Sequence, residues 1–271
     1  MAVSALEFGT MVDRLRASEC VFAEDEAALI VDTARDAAEI ASMVDRRVSG
    51  LPLEHVLGWA LFCGLRIAVD PGVFVPRRRT EFLVAEALAV TAPGAVVLDL
   101  GCGSGALGAA IAAGREVSLY AADLEPAAVR CARRNLAQWS GSVYQGDLFS
   151  ALPDQLRGQV DVLLSNVPYV PTDEIRLLPP EARLHEPHVT LDGGADGLAV
   201  LRRVVAGASE WLTDGGHLFV EMSEQQAPVA AAVMRAHGLS TRITSDDDLG
   251  ATVVRGTVTP GVERAAGTPA G

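Results

Sequence analysis

The stretch from Val96 to Gly108 constrains the fold of this 271-residue chain more than any other part of its sequence. Branched and aliphatic residues lead to Asp99, then to a loop with three glycines in five residues, and then to an alanine-rich stretch, Ala109–Ala113. Strand, glycine turn and helix form the first unit of a nucleotide-binding α/β sheet. Glycine suits such a turn because the backbone bends tightly and approaches a ligand without a Cβ between them. We therefore expect a ligand at this loop.

Two kinds of ligand fit the loop, and Asp99 discriminates between them. Residues Gly103 to Gly108 match the G-x-G-x-x-G pattern of NAD and FAD sites, which is a weak signal by itself. A carboxylate just upstream repels a pyrophosphate, whereas it attracts the sulfonium and ammonium groups of S-adenosylmethionine. The carboxylate of that cofactor can face the helix N-terminus. We expect S-adenosylmethionine, and the alternatives are a dinucleotide or a loop that binds nothing.

Composition narrows the class of protein. The net charge of −13 at pH 7 disfavours direct binding to nucleic acid, because an acidic surface repels phosphates. Four cysteines without C-x-x-C spacing and five histidines without metal-binding spacing predict no metal site. The first turns are charged, unlike a signal peptide, and no apolar run reaches the roughly 18 residues of a membrane span. These features predict a cytoplasmic protein with no membrane anchor.

Helical patterns and then a hairpin occupy the first 75 residues. Apolar residues at helical spacing predict three helices, at Met11–Ala17, Glu24–Arg35 and Ala37–Val48. Residues 1–50 would form a small helical domain, which is either a simple bundle or a docking domain for a macromolecular substrate. Two short strands, Trp59–Phe62 and Leu65–Val69, predict a β-hairpin in a linker at residues 51–75.

Three consecutive arginines, Arg77-Arg78-Arg79, follow this linker. Such a run usually forms a solvated surface, and the alternative is a basic edge that faces an anionic group or an acidic partner. Thr80 directly after the run is placed to cap a helix that begins at Glu81.

Acidic residues follow the second and third predicted strands of the sheet. Asp123 ends the second strand about 20 residues past the glycine loop, where a carboxylate hydrogen-bonds ribose hydroxyls. Asp147 follows the third strand and could accept a hydrogen bond from an adenine amine, with Leu148 beside the ring. The candidate cofactor contacts are Asp99, Gly101, Cys102, Gly103, Gly105, Asp123, Leu124, Asp147, Leu148 and Asn166.

The fourth predicted strand, Val160–Ser165, runs directly into Asn166-Val167-Pro168-Tyr169. Ligands in open α/β sheets bind beyond the carboxyl ends of strands where the strand order reverses, so this tetrapeptide should lie beside the glycine loop. The Asn166 amide oxygen and the carbonyl before Pro168 can accept two N–H groups, and Tyr169 offers a flat face. The four residues are therefore candidate catalytic residues that select a planar NH₂ group.

Taken together, these motifs resemble the HemK/PrmC family of protein-(glutamine-N5) methyltransferases. The resemblance covers about Leu51 to Val258 and also rests on Val73–Arg77, Glu186-Pro187 and Leu191–Leu198. It implies a class I S-adenosylmethionine-dependent methyltransferase domain at residues 76–258, with a Rossmann-like, seven-stranded, mostly parallel sheet. It also implies methyl transfer to the side-chain amide nitrogen of a glutamine in a protein substrate.

The chain departs from the family pattern in three places. Val167 replaces the first proline of the usual Asn-Pro-Pro-Tyr, and Arg77-Arg78-Arg79 replace the more usual Arg-Pro-acid. The arginine expected soon after Asp248–Gly250 is displaced to Arg255. These departures suggest a side branch of the family, so the partner is a release factor, a ribosomal protein or another protein.

Two other functions stay open at this point. Enzymes that methylate the exocyclic amine of adenine in nucleic acid use a similar tetrapeptide, although the acidic charge opposes that function. A cofactor-binding module without activity is the third alternative, and the acceptor groups at residues 166–169 oppose it. The small, polar residues 259–271 predict a disordered tail.

Overall fold

The protein is described from a computed structural model that defines residues 3–259. Four helices come first, then a two-stranded hairpin, and then a seven-stranded sheet with helices on both faces. No helix within the described residues is both long and apolar enough to cross a membrane. Residues 260–271 of the expected disordered tail lie outside the described part of the chain, and the division at residues 50 and 75 stays a prediction.

The N-terminal helices enclose a small apolar core of their own. They are α1 (Ala5–Ala17), α2 (Ala23–Thr33), α3 (Ala37–Val48) and α4 (Leu53–Leu57). Helix α1 begins six residues earlier than the predicted Met11. The cause is a capping box, in which the Ser4 side chain accepts from the Glu7 backbone and the Glu7 carboxylate accepts from the Ser4 backbone. This local hydrogen bonding extends the helix beyond its apolar pattern.

The predicted hairpin is confirmed, with strands β1 (Trp59–Phe62) and β2 (Leu65–Ala68) in antiparallel register. Asn135 ties the hairpin to the main domain. Its side chain accepts from the Ala68 N–H at 2.9 Å and donates to the Ala68 carbonyl at 2.9 Å and to the Ser104 carbonyl at 2.8 Å. One amide therefore joins the linker to the glycine loop.

The main sheet has the predicted seven-stranded, mostly parallel architecture. Its strands are β3 (Val96–Leu100), β4 (Ser118–Asp123), β5 (Ser142–Gln145), β6 (Val160–Ser165), β7 (Leu212–Met222), β8 (Leu239–Asp246) and β9 (Ala251–Val258). The spatial order is β5-β4-β3-β6-β7-β9-β8, and only the pairs formed by β9 are antiparallel. The order reverses between β3 and β6, so a ligand is expected beyond their carboxyl ends.

Helices cover both faces of this sheet. They are α5 (Glu81–Leu88), α6 (Ala106–Gly114), α7 (Pro126–Leu136), α8 (Pro180–His185), α9 (Ala199–Trp211) and α10 (Ala227–Ala236). Successive strand residues point to opposite faces, so Leu98 packs in the cluster with α9 and α10 whereas Val97 packs in the cluster with α5, α6 and α7. The buried strands are apolar on both sides, as parallel strands between helical layers require.

Candidate active site

One cavity of about 410 Å³ opens at the carboxyl ends of the central strands. Its volume falls in the range of roughly 300–1,000 Å³ of small-molecule sites. The predicted cofactor contacts that line it are Gly101, Cys102, Gly103, Asp123, Leu124, Asp147, Leu148 and Asn166. The other predicted acceptor residues that line it are Val167, Pro168 and Tyr169. The fold therefore brings the glycine loop and the tetrapeptide to one space, as the strand order requires.

Asp123 organises the glycine loop from the neighbouring strand. Its carboxylate accepts from the Gly103 N–H at 2.8 Å and from the Glu125 N–H at 2.9 Å. Burial raises the pKa of this carboxyl, and the two N–H donors oppose that rise. The expected contact of Asp123 with ribose stays a prediction, while its contact with the loop is a second role that the sequence did not reveal.

Asp99 does not line the cavity, and its expected contact with the cofactor stays a prediction. The side chain lies beneath the loop with 1% exposure, and its Oδ2 accepts from the Gly108 N–H at 3.0 Å. Burial raises the pKa of Asp99 to about 7, because a charged carboxylate is poorly solvated there. Asp99 braces the start of helix α6, a role that the sequence did not reveal.

Gly105 is the second predicted cofactor contact that lies outside the cavity lining, so that contact also stays a prediction. It sits at the start of α6, where φ is +78°. A Cβ there would lie 3.2 Å from both Ala132 Cβ and Leu136 Cγ. Glycine at this position lets α6 pack closely against α7, which positions the loop.

Asp147 and Leu148 also line the cavity, from the segment that follows strand β5. The Asp147 carboxylate accepts from Arg203 at 2.6 Å, in an ion pair whose two side chains are about half exposed. Arg203, from helix α9, also lines the cavity. If the adenine amine donates to Asp147 as expected, it shares the carboxylate with the Arg203 guanidinium. The sequence did not indicate this ion pair.

Asn166 is oriented by Thr80. The Asn166 Nδ2 donates to the Thr80 hydroxyl at 3.3 Å, which leaves the amide oxygen available as an acceptor. Thr80 is buried and makes no side-chain capping bond to α5, so the predicted cap is wrong. A 3₁₀ turn over Arg78–Thr80 replaces the extended cap conformation and turns the hydroxyl toward the tetrapeptide.

Val167 links the tetrapeptide to the glycine loop. Its side chain has 3% exposure, and a Cβ built on Gly101 would lie 3.5 Å from Val167 Cγ1. The residue that departs from the usual proline thus packs between the two halves of the site. Its backbone carbonyl still precedes Pro168, so the second predicted acceptor is retained.

The block Leu191–Leu198 holds the end of the tetrapeptide. Gly193 donates to the Val170 carbonyl at 2.8 Å, and the Gln226 side chain donates to the Tyr169 carbonyl at 2.8 Å. A Cβ on Gly197 would lie 2.2 Å from the Tyr169 carbonyl oxygen, so only glycine fits there. Gln226 carried no signal in the sequence, whereas the glycine block did.

The arginine run divides between three environments, so each of the two interpretations holds for part of it. Arg77 pairs with the buried Glu186 at 2.6 Å. Arg79 pairs with Glu221 at 3.0 Å and donates to the Tyr169 hydroxyl at 2.8 Å. Only Arg78 matches the solvated surface. Glu221 lines the cavity and was missed, because one glutamate in an apolar strand has no motif around it.

The donor set fits S-adenosylmethionine. The positive φ of +55° at Gly103 and the open space around its built Cβ expose the loop backbone to the cavity. Helix α6 begins at Ala106, which lines the same space, so its N-terminal dipole faces a ligand carboxylate. Among residues 3–259 no group of three or more potential metal ligands is assembled.

Solved structures share this fold. A methyltransferase from Pyrococcus furiosus aligns with a TM-score of 0.55 at 17% identity, over 72% of this chain and 90% of that chain. A ribosomal protein L11 methylase from Lactobacillus delbrueckii subsp. bulgaricus aligns with a TM-score of 0.53 at 14% identity, over 71% of this chain and 85% of that chain. At these identities the likeness concerns the methyltransferase fold alone.

Sequence relatives are more specific. The family model "Methyltransferase small domain" matches residues 64–178. A release factor glutamine methyltransferase of Geobacter sulfurreducens is 38% identical over 79% of this chain and 75% of that protein. The enzyme of the same name from Mycolicibacterium smegmatis is 39% identical over 78% of this chain and 76% of that protein. The predicted resemblance is confirmed, and the chain belongs to the release factor glutamine methyltransferase family, a family of S-adenosylmethionine-dependent enzymes.

Proposed function

We propose that this enzyme transfers a methyl group from S-adenosylmethionine to the side-chain amide nitrogen of a glutamine in a peptide chain release factor. One observation carries the proposal. Asn166, with its amide nitrogen held by Thr80, lines the same cavity as the glycine loop. The names of the relatives supply the release factor as the substrate. We propose the cytoplasm as the location of the enzyme, because a release factor would be methylated where translation takes place.

Residues of the tetrapeptide position the acceptor amide. The bound cofactor supplies an electrophilic methyl carbon attached to a positively charged sulfur. Asn166 Oδ1 and the Val167 carbonyl accept the two amide N–H groups, which aims the nitrogen at that carbon. The same oxygens stabilise the positive charge that grows on nitrogen while the N–C bond forms and the S–C bond breaks. The extra proton then leaves to solvent, and the site needs no strong base.

The remaining groups set the selectivity. Tyr169 presents a flat face on which a planar amide stacks, and Pro168 fixes the backbone directly after the Val167 carbonyl. On the donor side, Asp123 and Asp147 are the acceptors for ribose and adenine. The exposed N–H groups at the start of α6 face the carboxylate of the cofactor.

Replacing Asn166 with Ala tests the assignment. Loss of an acceptor that acts mainly in the transition state should lower kcat by roughly 10²–10³, as removal of one preorganised hydrogen-bonding group does. The affinity for S-adenosylmethionine, measured by calorimetry, should stay within about threefold, since this residue acts on the acceptor. Equal losses in kcat and in cofactor affinity would contradict the role given to Asn166.

The substrate is tested directly by incubating the enzyme with labelled S-adenosylmethionine and a purified release factor. Mass spectrometry should place the label on one glutamine. A parallel reaction with total RNA and DNA examines the adenine alternative. Labelled nucleic acid together with an unlabelled release factor would refute the proposed function.

A further inference from the structure

Three side chains from separate parts of the chain meet at the acceptor end of the cavity. Arg79 Nε donates to Glu221 Oε1 at 3.0 Å, and Arg79 Nη2 donates to the Tyr169 hydroxyl at 2.8 Å. The Tyr169 hydroxyl donates in turn to Glu221 Oε1 at 2.8 Å. All three residues line the cavity. The Tyr169 hydroxyl is thus used both as a donor and as an acceptor.

Glu221 is the buried member of this cluster. It lies on strand β7, between β6 and β9, with 2% of its side chain exposed, whereas the Arg79 side chain is 45% exposed. Its second oxygen, Oε2, is buried and has no hydrogen-bond partner among the described residues. A buried carboxylate is retained only where a partner compensates its charge, and Arg79 is the cation that does so here. The usual acid at position 79 would instead add a second negative charge.

Tyr169 is fixed at both of its ends. The Gln226 side chain holds its carbonyl at 2.8 Å, and Gly197 allows that close approach. The hydroxyl at the far end of the ring is held by Arg79 and Glu221. Desolvation and the nearby carboxylate raise the pKa of Tyr169, so the hydroxyl stays protonated and keeps donating to Glu221. The ring plane is therefore set by bonds beyond the tetrapeptide itself.

From this geometry we infer that Arg79 and Glu221 are positioning residues that hold the Tyr169 ring against the acceptor amide. The inference rests on the proposed function and deepens it. Productive placement of the glutamine then depends on an ion pair that acts through the Tyr169 ring. The cation at position 79 must hydrogen-bond to Glu221 and to the Tyr169 hydroxyl at the same time. The planar guanidinium of arginine offers donors at fixed angles for both partners, whereas the single ammonium of lysine does not.

A double-mutant cycle tests this role. Arg79→Gln and Tyr169→Phe should each lower kcat/KM for the release factor about tenfold. The double variant should also lose about tenfold rather than a hundredfold, because both changes disrupt the same ring placement. Arg79→Lys should recover only part of the activity, since one ammonium cannot hold both partners. Losses that multiply would overturn the inference.

Arg78→Gln is the matched control, because it is the exposed neighbour in the same arginine run. It should leave kcat/KM within twofold of the unmodified enzyme. Cofactor affinity, measured by calorimetry, should be unchanged in every variant. A parallel loss of cofactor affinity in Arg79→Gln would show a general disturbance of the site and would also overturn the inference.

The proposed function can fail separately from this inference. If the unmodified enzyme labels no release factor, the proposed function fails. The same double-mutant cycle can then be carried out with the midpoint of urea unfolding as the measured quantity. Coupling between Arg79 and Tyr169 in the free protein would still support the positioning network. Strictly additive shifts in the midpoint would refute it.

Discussion

Asp99 makes the stability of this protein depend on pH in a way that can be calculated. Its carboxyl is 1% exposed and has a pKa of about 7 in the folded protein, against 3.8 for an isolated side chain. A group with a raised carboxyl pKa binds its proton more tightly in the folded state. The contribution of protonated Asp99 to the free energy of unfolding is therefore complete below the pKa of 3.8 in the unfolded chain. It is lost as the pH rises through the folded-state pKa of about 7.

The magnitude follows from the two pKa values. Each pH unit between them corresponds to about 1.36 kcal/mol, so full ionisation of Asp99 destabilises the fold by about 4 kcal/mol. Of this, about 2 to 3 kcal/mol is lost between pH 5 and pH 8, since part of the loss precedes pH 5. The substitution Asp99→Asn removes the ionisation and retains an oxygen that can accept the Gly108 N–H.

Urea unfolding of the unmodified protein and of Asp99→Asn at pH 5 and pH 8 measures this difference. The advantage of the asparagine variant should grow by about 2 to 3 kcal/mol from the lower to the higher pH. The exposed Asp173→Asn serves as the control and should show no such growth. An advantage that does not change with pH would refute the claim that burial sets this pKa.

The same variant tests whether Asp99 contacts the cofactor. Because the side chain does not line the cavity, Asp99→Asn should bind S-adenosylmethionine within about threefold of the unmodified protein. A carboxylate in contact with the sulfonium or ammonium would contribute more, and its loss would cost tenfold or more in affinity. That larger loss, seen by calorimetry, would restore the direct role predicted from the sequence.

Two further substitutions probe the scaffold. Gly197→Ala places a Cβ about 2.2 Å from the Tyr169 carbonyl oxygen. The rate of methylation should therefore fall at least tenfold while the affinity for the cofactor is retained. Unchanged kinetics would contradict this packing. Arg47→Ala strands the buried Glu26 and should cost about 3 to 5 kcal/mol in urea unfolding. The exposed ion pair of Arg14 with Asp45 offers the control, and Arg14→Ala should lower the free energy of unfolding by less than about 1 kcal/mol. Equal losses of stability in Arg47→Ala and Arg14→Ala would refute the argument from burial.

Elements with strong local signals were predictable. Helix α3 and strand β6 have the predicted bounds, because one has clear helical spacing and the other is a nearly all apolar run before Asn166. Strand β7 begins at Leu212, although the run of apolar residues in its second half starts only at Leu218. Its first residues include two glycines, which have low strand propensity, and Leu212 is held in the strand by pairing with Val160. Boundaries that depend on a neighbouring strand carry little local signal.

The sequence predicted which residues after the strands line the cavity better than it predicted which side chains turn away from it. Asp99 and Asp123 both lie at strand ends beside the same loop, and the sequence gives no way to tell which one faces the cavity. The alternation of side chains across β3 buries Asp99 beneath α6. Thr80 and Glu221 act on the tetrapeptide from 86 and 52 residues away along the chain, a distance that no local pattern encodes.

The sequence by itself determined the order of strands and helices, the glycine turn, and the tetrapeptide after β6, because turn geometry and apolar periodicity are local properties. The tertiary structure alone decided which polar groups meet. The ion pair of Arg79 with Glu221 and the orientation of Asn166 by Thr80 arise when distant segments pack around one cavity. Burial then selects these partners, since a charged or polar group removed from water requires a hydrogen bond wherever the fold supplies one.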